Sequence, residues 1–417
     1  MTLFRLTDNL TISFEADAAG SAFVCLVCVM FAVVGIYALK MKNYQQHTKR
    51  FAVFYLLTWA MLIALGFAAN YLTMYMAFEF MTLLSMPLVL HDGTPEAIAA
   101  AKKYLFYSVF GATLGLFGLI YTLNYDPAET GGSTYLWAAF LSVAGFGVKA
   151  GLFPFQSWLP VAHPVAPASA SAVLSGVITK GGVLCIIRVI FFEFGADNLR
   201  GTWVQTAWIV LALTTVVLGS AMATTKDVLK ERLAYSTVSQ VSYVLFGLFT
   251  LHPVGIAGAL LHAVYHSVIK DMLFMASGAI KTFTHKPKVS ELRGIGRQMP
   301  VTMTAFTLGS LGLVGIPPLA GFLSKYYIAM GALDAGIGKF GWIGPAVLLL
   351  SALLTALYLF PICINGFFPG EGFECERIKE PKQMCIALLI AAALVVILGV
   401  IPNPLLKVLL IISSELV

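Results

Sequence analysis

The chain has 417 residues, of which 59% are apolar and only 11% are Asp, Glu, Lys or Arg, against about 25% charged residues in a soluble domain. Its mean hydropathy of +0.87 implies more apolar surface than a soluble fold of this length can hide. These values exclude a soluble enzyme, a nucleic-acid binder, a disordered chain and a fibre, and the net charge of +6 acquires meaning only once it is located.

Apolar stretches of about 20 residues predict membrane-spanning helices. Twelve are expected, at 17–40, 50–69, 71–90, 102–122, 134–153, 171–194, 203–223, 233–250, 254–280, 301–328, 341–367 and 384–401. The fold class is therefore an all-α polytopic membrane protein. The residues ahead of span one are polar, without the basic head and apolar core of a cleavable signal. Span one carries Cys25 and Cys28 as a C-x-x-C, read as two packing residues on one helix face. With Cys185, Cys363, Cys375 and Cys385 these make neither a disulfide framework nor a zinc pattern.

Ionisable groups then appear inside the spans, where each costs roughly 2.5–3.5 kcal/mol at a helix centre and is kept because it does something. Glu79 lies halfway along span three. Lys149 sits in span five, just before Pro154, and His163 follows in the loop HPVAP. Lys180 is near the middle of span six, with Arg188 two helical turns on, where it can also snorkel to the interface. Span nine carries His262, His266 and Lys270 at i, i+4 and i+8, a polar stripe on one face, followed by Asp271. His262 can equally be a satisfied packing histidine, and Asp271 can pair structurally with Lys270 or a neighbouring span. A metal site on His262 and His266 lacks further ligands. Span ten is interrupted at Pro317 and Pro318 and bears Lys325, which can also snorkel outward.

Proline removes a helix hydrogen bond and clashes with the preceding turn, so spans five and ten are broken helices. Broken spans at matching places in two halves point to a transport site near the midplane. Spans two to six and seven to eleven form two five-helix units, each broken in its fourth helix. An odd number of helices per unit makes the repeat inverted. The domain boundaries expected are 1–49 (N-terminal segment and first span), 50–194 and 203–368 (the two repeats), and 383–417 (C-terminal span). Lys and Arg collect in cytoplasmic loops. With the N-terminus outside, 17 basic residues fall in inside loops, among them Lys40, Lys42, Lys49 and Arg50, against Arg5, Arg200 and Lys339 outside. Both termini are therefore expected on the outer side.

Desolvation weakens a lysine's hold on its proton, a nearby carboxylate strengthens it, and histidines pass protons near neutral pH. No nucleophile–base set is present. The residue types favour ion movement over bond chemistry.

Several segments resemble a known family. MAFEFMTLLSMPLVL, FGVKAGLFPFQSWLPVAHPVAPASASAVLSGVITKGG, TTKDVLKERLAYSTVSQVSYVLFGL, HAVYHSVIKDMLFMASG and GSLGLVGIPPLAGFLSKYYI are similar to the antiporter-like subunits of respiratory complex I, Mrp-type cation/proton antiporters and membrane-bound hydrogenases. The resemblance implies proton translocation driven by redox chemistry in partner subunits. In it Glu79 pairs with Lys149, Lys180 lies one helix further on, and His262, His266 and Lys270 link two half-channels. Lys325 is then the basic residue of the second broken helix, and His163 a histidine common after the W-L-P turn. It implies no cofactor in this chain, with iron–sulfur and possibly Ni–Fe or flavin groups in partners. It implies neighbouring membrane-arm subunits, antiporter-like homologues included, together with peripheral redox subunits and lipid, and no nucleic acid. The location implied is an energy-coupling membrane, a prokaryotic plasma membrane. Relative to the family pattern, two N-terminal spans are missing, Val161 replaces an acidic residue, the long lateral helix is absent, and span eight offers no acid, only Ser236, Ser239, Gln240, Ser242 and Tyr243. The expected function is a proton- or Na⁺-translocating subunit of a redox-driven complex. The rivals are an Mrp-type antiporter subunit without a redox partner, a mainly structural membrane-arm subunit, and a subunit of another ion-coupled process such as inorganic-carbon uptake.

Overall fold

The computed structural model describes residues 1–417 except 6–9, 42–46, 126–129 and 374–375, and also leaves out the side chains at 40 and 41. Lys40 (its side chain), Lys42 and Cys375 thus lie outside the described residues. The principal helices are α1 (Ala18–Met41), α2 (Thr48–Gly66), α3 (Tyr71–Val89), α4 (Pro95–Leu123), α5 (Ser133–Ala150), α6 (Leu159–Val165), α7 (Ala168–Phe194), α8 (Trp203–Thr225), α9 (Leu229–Phe249), α10 (Pro253–Thr284), α11 (Pro300–Val314), α12 (Phe322–Asp334), α13 (Phe340–Phe367), α14 (Lys382–Val400) and α15 (Asn403–Leu416).

Eight of these helices are long and apolar enough to cross a membrane: α1, α2, α3, α4, α7, α8, α13 and α14. The other four expected spans correspond to helices that carry the polar features or the breaks. α5 stops at Ala150, α9 and α10 carry polar stripes, and span ten is divided into α11 and α12. In an apolar solvent every backbone group must be satisfied within the protein, which favours helices throughout.

The helices form a centre and a rim. The apolar window of α7 is wholly buried, whereas the corresponding windows of α1, α2, α4, α13 and α14 bury only 33–39%. The rim shows large apolar side chains outward, Trp342, Leu349, Leu353 and Leu357 among them, as a lipid-facing surface does. Small polar residues stitch helices together where backbones approach closely. Ser220 on α8, Ser239 on α9 and Ser351 on α13 form a buried hydroxyl cluster with Oγ–Oγ distances of 2.7, 2.5 and 3.1 Å.

Two elements fall outside the sequence expectation. Near the N-terminus, β1 (Thr2–Arg5) and β2 (Thr11–Ser13) pair antiparallel. Asn70 holds the pair: the side chain caps α3 by accepting from the Thr73 N–H, and donates to the Thr11 carbonyl and Ser13 Oγ. The last segment forms the amphipathic helix α15, which buries Leu406, Leu409 and Ile412. Arg188 is 8% exposed. It binds Asp17 at 2.6 Å and donates to the Gly66 carbonyl at 2.9 Å, tying α7 to the start of α1 and the end of α2. Cys25 is exposed and Cys28 half-buried, both free thiols.

Each break begins at a glycine in the left-handed region, which a side chain would disfavour. Gly151 (φ 79°) ends α5 and Gly315 (φ 95°) ends α11. Each is followed three residues later by a proline with a cis peptide bond, Phe153–Pro154 and Pro317–Pro318. The carbonyls freed at a helix end need donors. At the first break Trp158 Nε1 donates to the Val148 carbonyl at 2.8 Å. At the second, Lys325 turns back from α12 and donates to the Leu313 and Val314 carbonyls at 2.6 and 2.8 Å.

Lys325→Met keeps most of the length of the side chain and removes its donors, leaving both carbonyls short of a partner. The purified protein is expected to lose about 2 kcal/mol of stability, read as a lower thermal midpoint, with Lys325→Arg affected less. An unchanged midpoint for Lys325→Met would contradict this role.

Candidate functional site

The polar interior runs along α7 and α10, two helices that are largely buried. It begins on α5, where Lys149 is 1% exposed. Its Nζ donates to Tyr104 Oη at 2.7 Å and Ser108 Oγ at 3.2 Å, both on α4. The rings of Tyr104, Phe78 and Trp158 surround the ammonium at 4.2, 5.8 and 5.8 Å from their centroids, a cation–π arrangement. Tyr104 passes the interaction on, its hydroxyl lying 2.5 Å from Ser85 Oγ on α3. Tyr104 and Ser108 stand i and i+4 on an apolar helix. That spacing is visible in the sequence, but attention to charged residues alone misses it.

Glu79 on α3 is half-buried and makes no ion pair with Lys149 among the described residues. It lies within electrostatic reach of Lys149 and of Tyr104. Its Oε1 is buried without a hydrogen-bond partner among the described residues.

α7 packs tightly on α5, with Gly182 against the side chain of Lys149. Lys180 on α7 donates to the Ser175 carbonyl at 2.8 Å and meets Nδ1 of His266, on α10, at 2.6 Å. His262 lies one turn away with ring centroids 6.2 Å apart. Its Nδ1 contacts Ser324 Oγ of α12 at 2.9 Å and its Nε2 contacts Gln240 Oε1 of α9 at 3.1 Å. His262 is thus a hydrogen-bonded group that touches the second broken helix. Tyr243 of α9 stacks on His262 at 5.3 Å, and Lys325 Nζ lies 5.4 Å from the centroid of the Tyr243 ring.

Lys270, fully buried, donates to the Leu233 carbonyl at 2.8 Å and to Ser236 Oγ. His163 on α6 is also fully buried and stacks on Phe274 at 4.6 Å; neither ring nitrogen has a partner among the described residues. Asp271 makes no ion pair with Lys270 among the described residues.

The i, i+4, i+8 stripe is therefore present on α10, but its members turn to different neighbours: His262 to α9 and α12, His266 to α7, Lys270 to α9. The acid-free face of α9 supplies Ser236, Gln240 and Tyr243 as their partners. Arg188 stands apart, tied to Asp17 and the Gly66 carbonyl. Such a row of amines, imidazoles and hydroxyls, with neutral partners, has the chemistry to hand protons along.

A family model described as "NADH:quinone oxidoreductase/Mrp antiporter, TM" matches residues 68–354. The chain is 32% identical over 375 residues to an NADH-quinone oxidoreductase subunit N of Desulforudis audaxviator, covering 84% of this chain and 74% of that one. It is 28% identical to one of the Na(+)/H(+) antiporter subunits of Alkalihalophilus pseudofirmus, covering 92% and 78%. Among solved structures, a chain of the archaeal membrane-bound sulfane sulfur reductase superposes with a TM-score of 0.87 at 24% identity, over 97% of this chain and 84% of the other. The expected fold of buried lysines, a histidine stripe and two broken helices is thus that of an integral membrane protein, and the chain belongs to the antiporter-like subunit family shared by NADH:quinone oxidoreductases and Mrp antiporters.

Proposed function

We propose that this subunit moves protons across an energy-coupling membrane along its buried polar row. Glu79 sets the charge state of Lys149. Protons pass through Lys180 and the His262, His266 and Lys270 group toward Lys325, with His163 and Asp271 as accessory groups. The observation that carries this reading is the 2.6 Å contact between Lys180 Nζ and His266 Nδ1, which joins α7 to α10. Each lysine is held chiefly by neutral oxygens and nitrogens. Such partners accept from an ammonium and also tolerate the neutral amine, so the proton is free to leave.

The architecture proposed is twelve spans in two inverted five-helix units, 50–194 and 203–368, flanked by 1–49 and 383–417. In support, both broken helices place a left-handed glycine three residues before the proline, at Gly151–Pro154 and Gly315–Pro318. In that register Lys149 precedes its break and Lys325 follows its own, so the two half-channels are chemically unequal. Both termini lie on the outer side of a prokaryotic plasma membrane. Lys407, on α15, then joins Arg5, Arg200 and Lys339 as a fourth outer basic residue against 17 inside.

Redox chemistry in partner subunits supplies the driving force, with iron–sulfur and Ni–Fe or flavin groups held there, and other antiporter-like subunits neighbour this one in the membrane arm. The similarity to an NADH-quinone oxidoreductase subunit supports this. The similarity to a Na(+)/H(+) antiporter subunit favours a second reading, an Mrp-type complex run by the ion gradient itself.

Lys149→Ala is expected to leave the complex assembled and to abolish proton transport in proteoliposomes; normal transport would sink the mechanism. Purification of the native complex in mild detergent through a tag on this chain, followed by mass spectrometry, separates the two readings. Iron–sulfur or nickel-site companions are expected. Recovery of small membrane subunits alone would replace the redox reading with the Mrp one.

A further inference from the structure

Asp271 follows Lys270 on α10, yet the two side chains turn apart. Lys270 reaches the Leu233 carbonyl and Ser236 on α9, whereas Asp271 crosses to α7 and lies on Gly176. The fit needs a glycine, since a Cβ at position 176 would overlap the carboxylate. Asp271 is 0% exposed, and neither carboxylate oxygen meets a hydrogen-bond donor among the described residues. An isolated carboxylate in such a place is too costly to remain ionised and uncompensated.

The nearest amine is one turn away. Gly176 and Lys180 stand i and i+4 on α7, so the carboxylate lies on the face of α7 that carries the amine, with no direct ion pair between them among the described residues. The other groups facing Asp271 are poor substitutes. Tyr55 of α2 lies within electrostatic reach but donates its hydroxyl to the Phe31 carbonyl at 2.7 Å. Ser267 donates to the Gly176 and Ala263 carbonyls. His266 and Lys270 share the helix of Asp271 and turn to Lys180 and α9.

We propose that Asp271 is a proton-carrying partner of Lys180, forming a second carboxylate–lysine pair at the junction of the two half-channels. This rests on the proton-transfer reading above and adds to it a residue and a step. In the step an N–H bond of the Lys180 ammonium breaks and an O–H bond forms on Asp271, leaving a neutral amine and a neutral acid. The pair has no net charge before or after, so the transfer avoids creating an unpaired buried ion. Return of that proton to the amine lets Lys180 pass one on toward Lys325 through His266, whose Nδ1 it already touches.

The test compares Asp271→Asn with wild type in the assembled complex, reading proton transport in proteoliposomes and the protonated-carboxyl stretching band in pH-jump infrared difference spectra. The expected result is transport lowered about tenfold or more, with loss of that band. Transport within about twofold of wild type would overturn the proposal. So would lost transport with an unchanged spectrum, which marks Asp271 as a passive counter-charge. If Asp271→Asn fails to assemble, Gly176→Ala carries the test by displacing the carboxylate without removing it. A shifted band and reduced transport are then expected, and wild-type values of both would overturn the idea. Lys149→Ala serves as the control. Normal transport there would fail the whole route, whereas an inactive Lys149→Ala beside a fully active Asp271→Asn would fail this proposal alone.

Discussion

A lysine enclosed in a membrane-spanning bundle must find acceptors inside the protein, and the placement of the central helices follows from that need. Lys149 takes two hydroxyls from α4, and Lys180 takes a carbonyl of its own helix and an imidazole from α10. Lys270 takes a carbonyl and a hydroxyl from α9, and Lys325 takes two carbonyls released where α11 ends. Satisfying four amines in this way fixes α4 on α5, α7 on α10, α9 on α10 and α12 on α11. The apolar rim closes around these contacts and faces lipid.

The same arrangement links structure to transport. A direct, well-made salt bridge would hold a lysine in its charged form, whereas a hydroxyl or imidazole binds both forms. Glu79 stands within electrostatic reach of Lys149 without touching it, with Tyr104 hydrogen-bonded to the lysine between α3 and α5. A small movement of α3 would bring the carboxylate closer and change the proton affinity of the amine, with little change in packing. The second half works differently, because Lys325 is held by backbone at its break and reaches the row through Tyr243 and His262.

Much of this is legible in the sequence because membrane helices announce themselves by apolar length and their exceptions by charge. Glu79, Lys149, Lys180, the α10 stripe and both breaks stand out for that reason. What stays hidden depends on distant partners. The pairing of β1 with β2 is held by Asn70, more than fifty residues on, and no local pattern reveals it. The order of lysine and proline already puts Lys149 before its break and Lys325 after its own, but it does not reveal that Lys325 folds back onto the Leu313 and Val314 carbonyls. Asp271 reads as a partner of Lys270 or of a neighbouring span, and only the helix packing places it on Gly176. The terminal helix α15 escapes a search for spans because its amphipathic pattern is too short and mixed to cross a membrane.

The central claim is that protons cross between the two halves through Lys180 and His266. The most direct test is proton flux in proteoliposomes containing the complex with His266→Leu, which removes the link and keeps an apolar filler in its place. The account predicts an assembled complex in which coupled proton flux is lost. Flux at the wild-type rate would contradict a route through this contact.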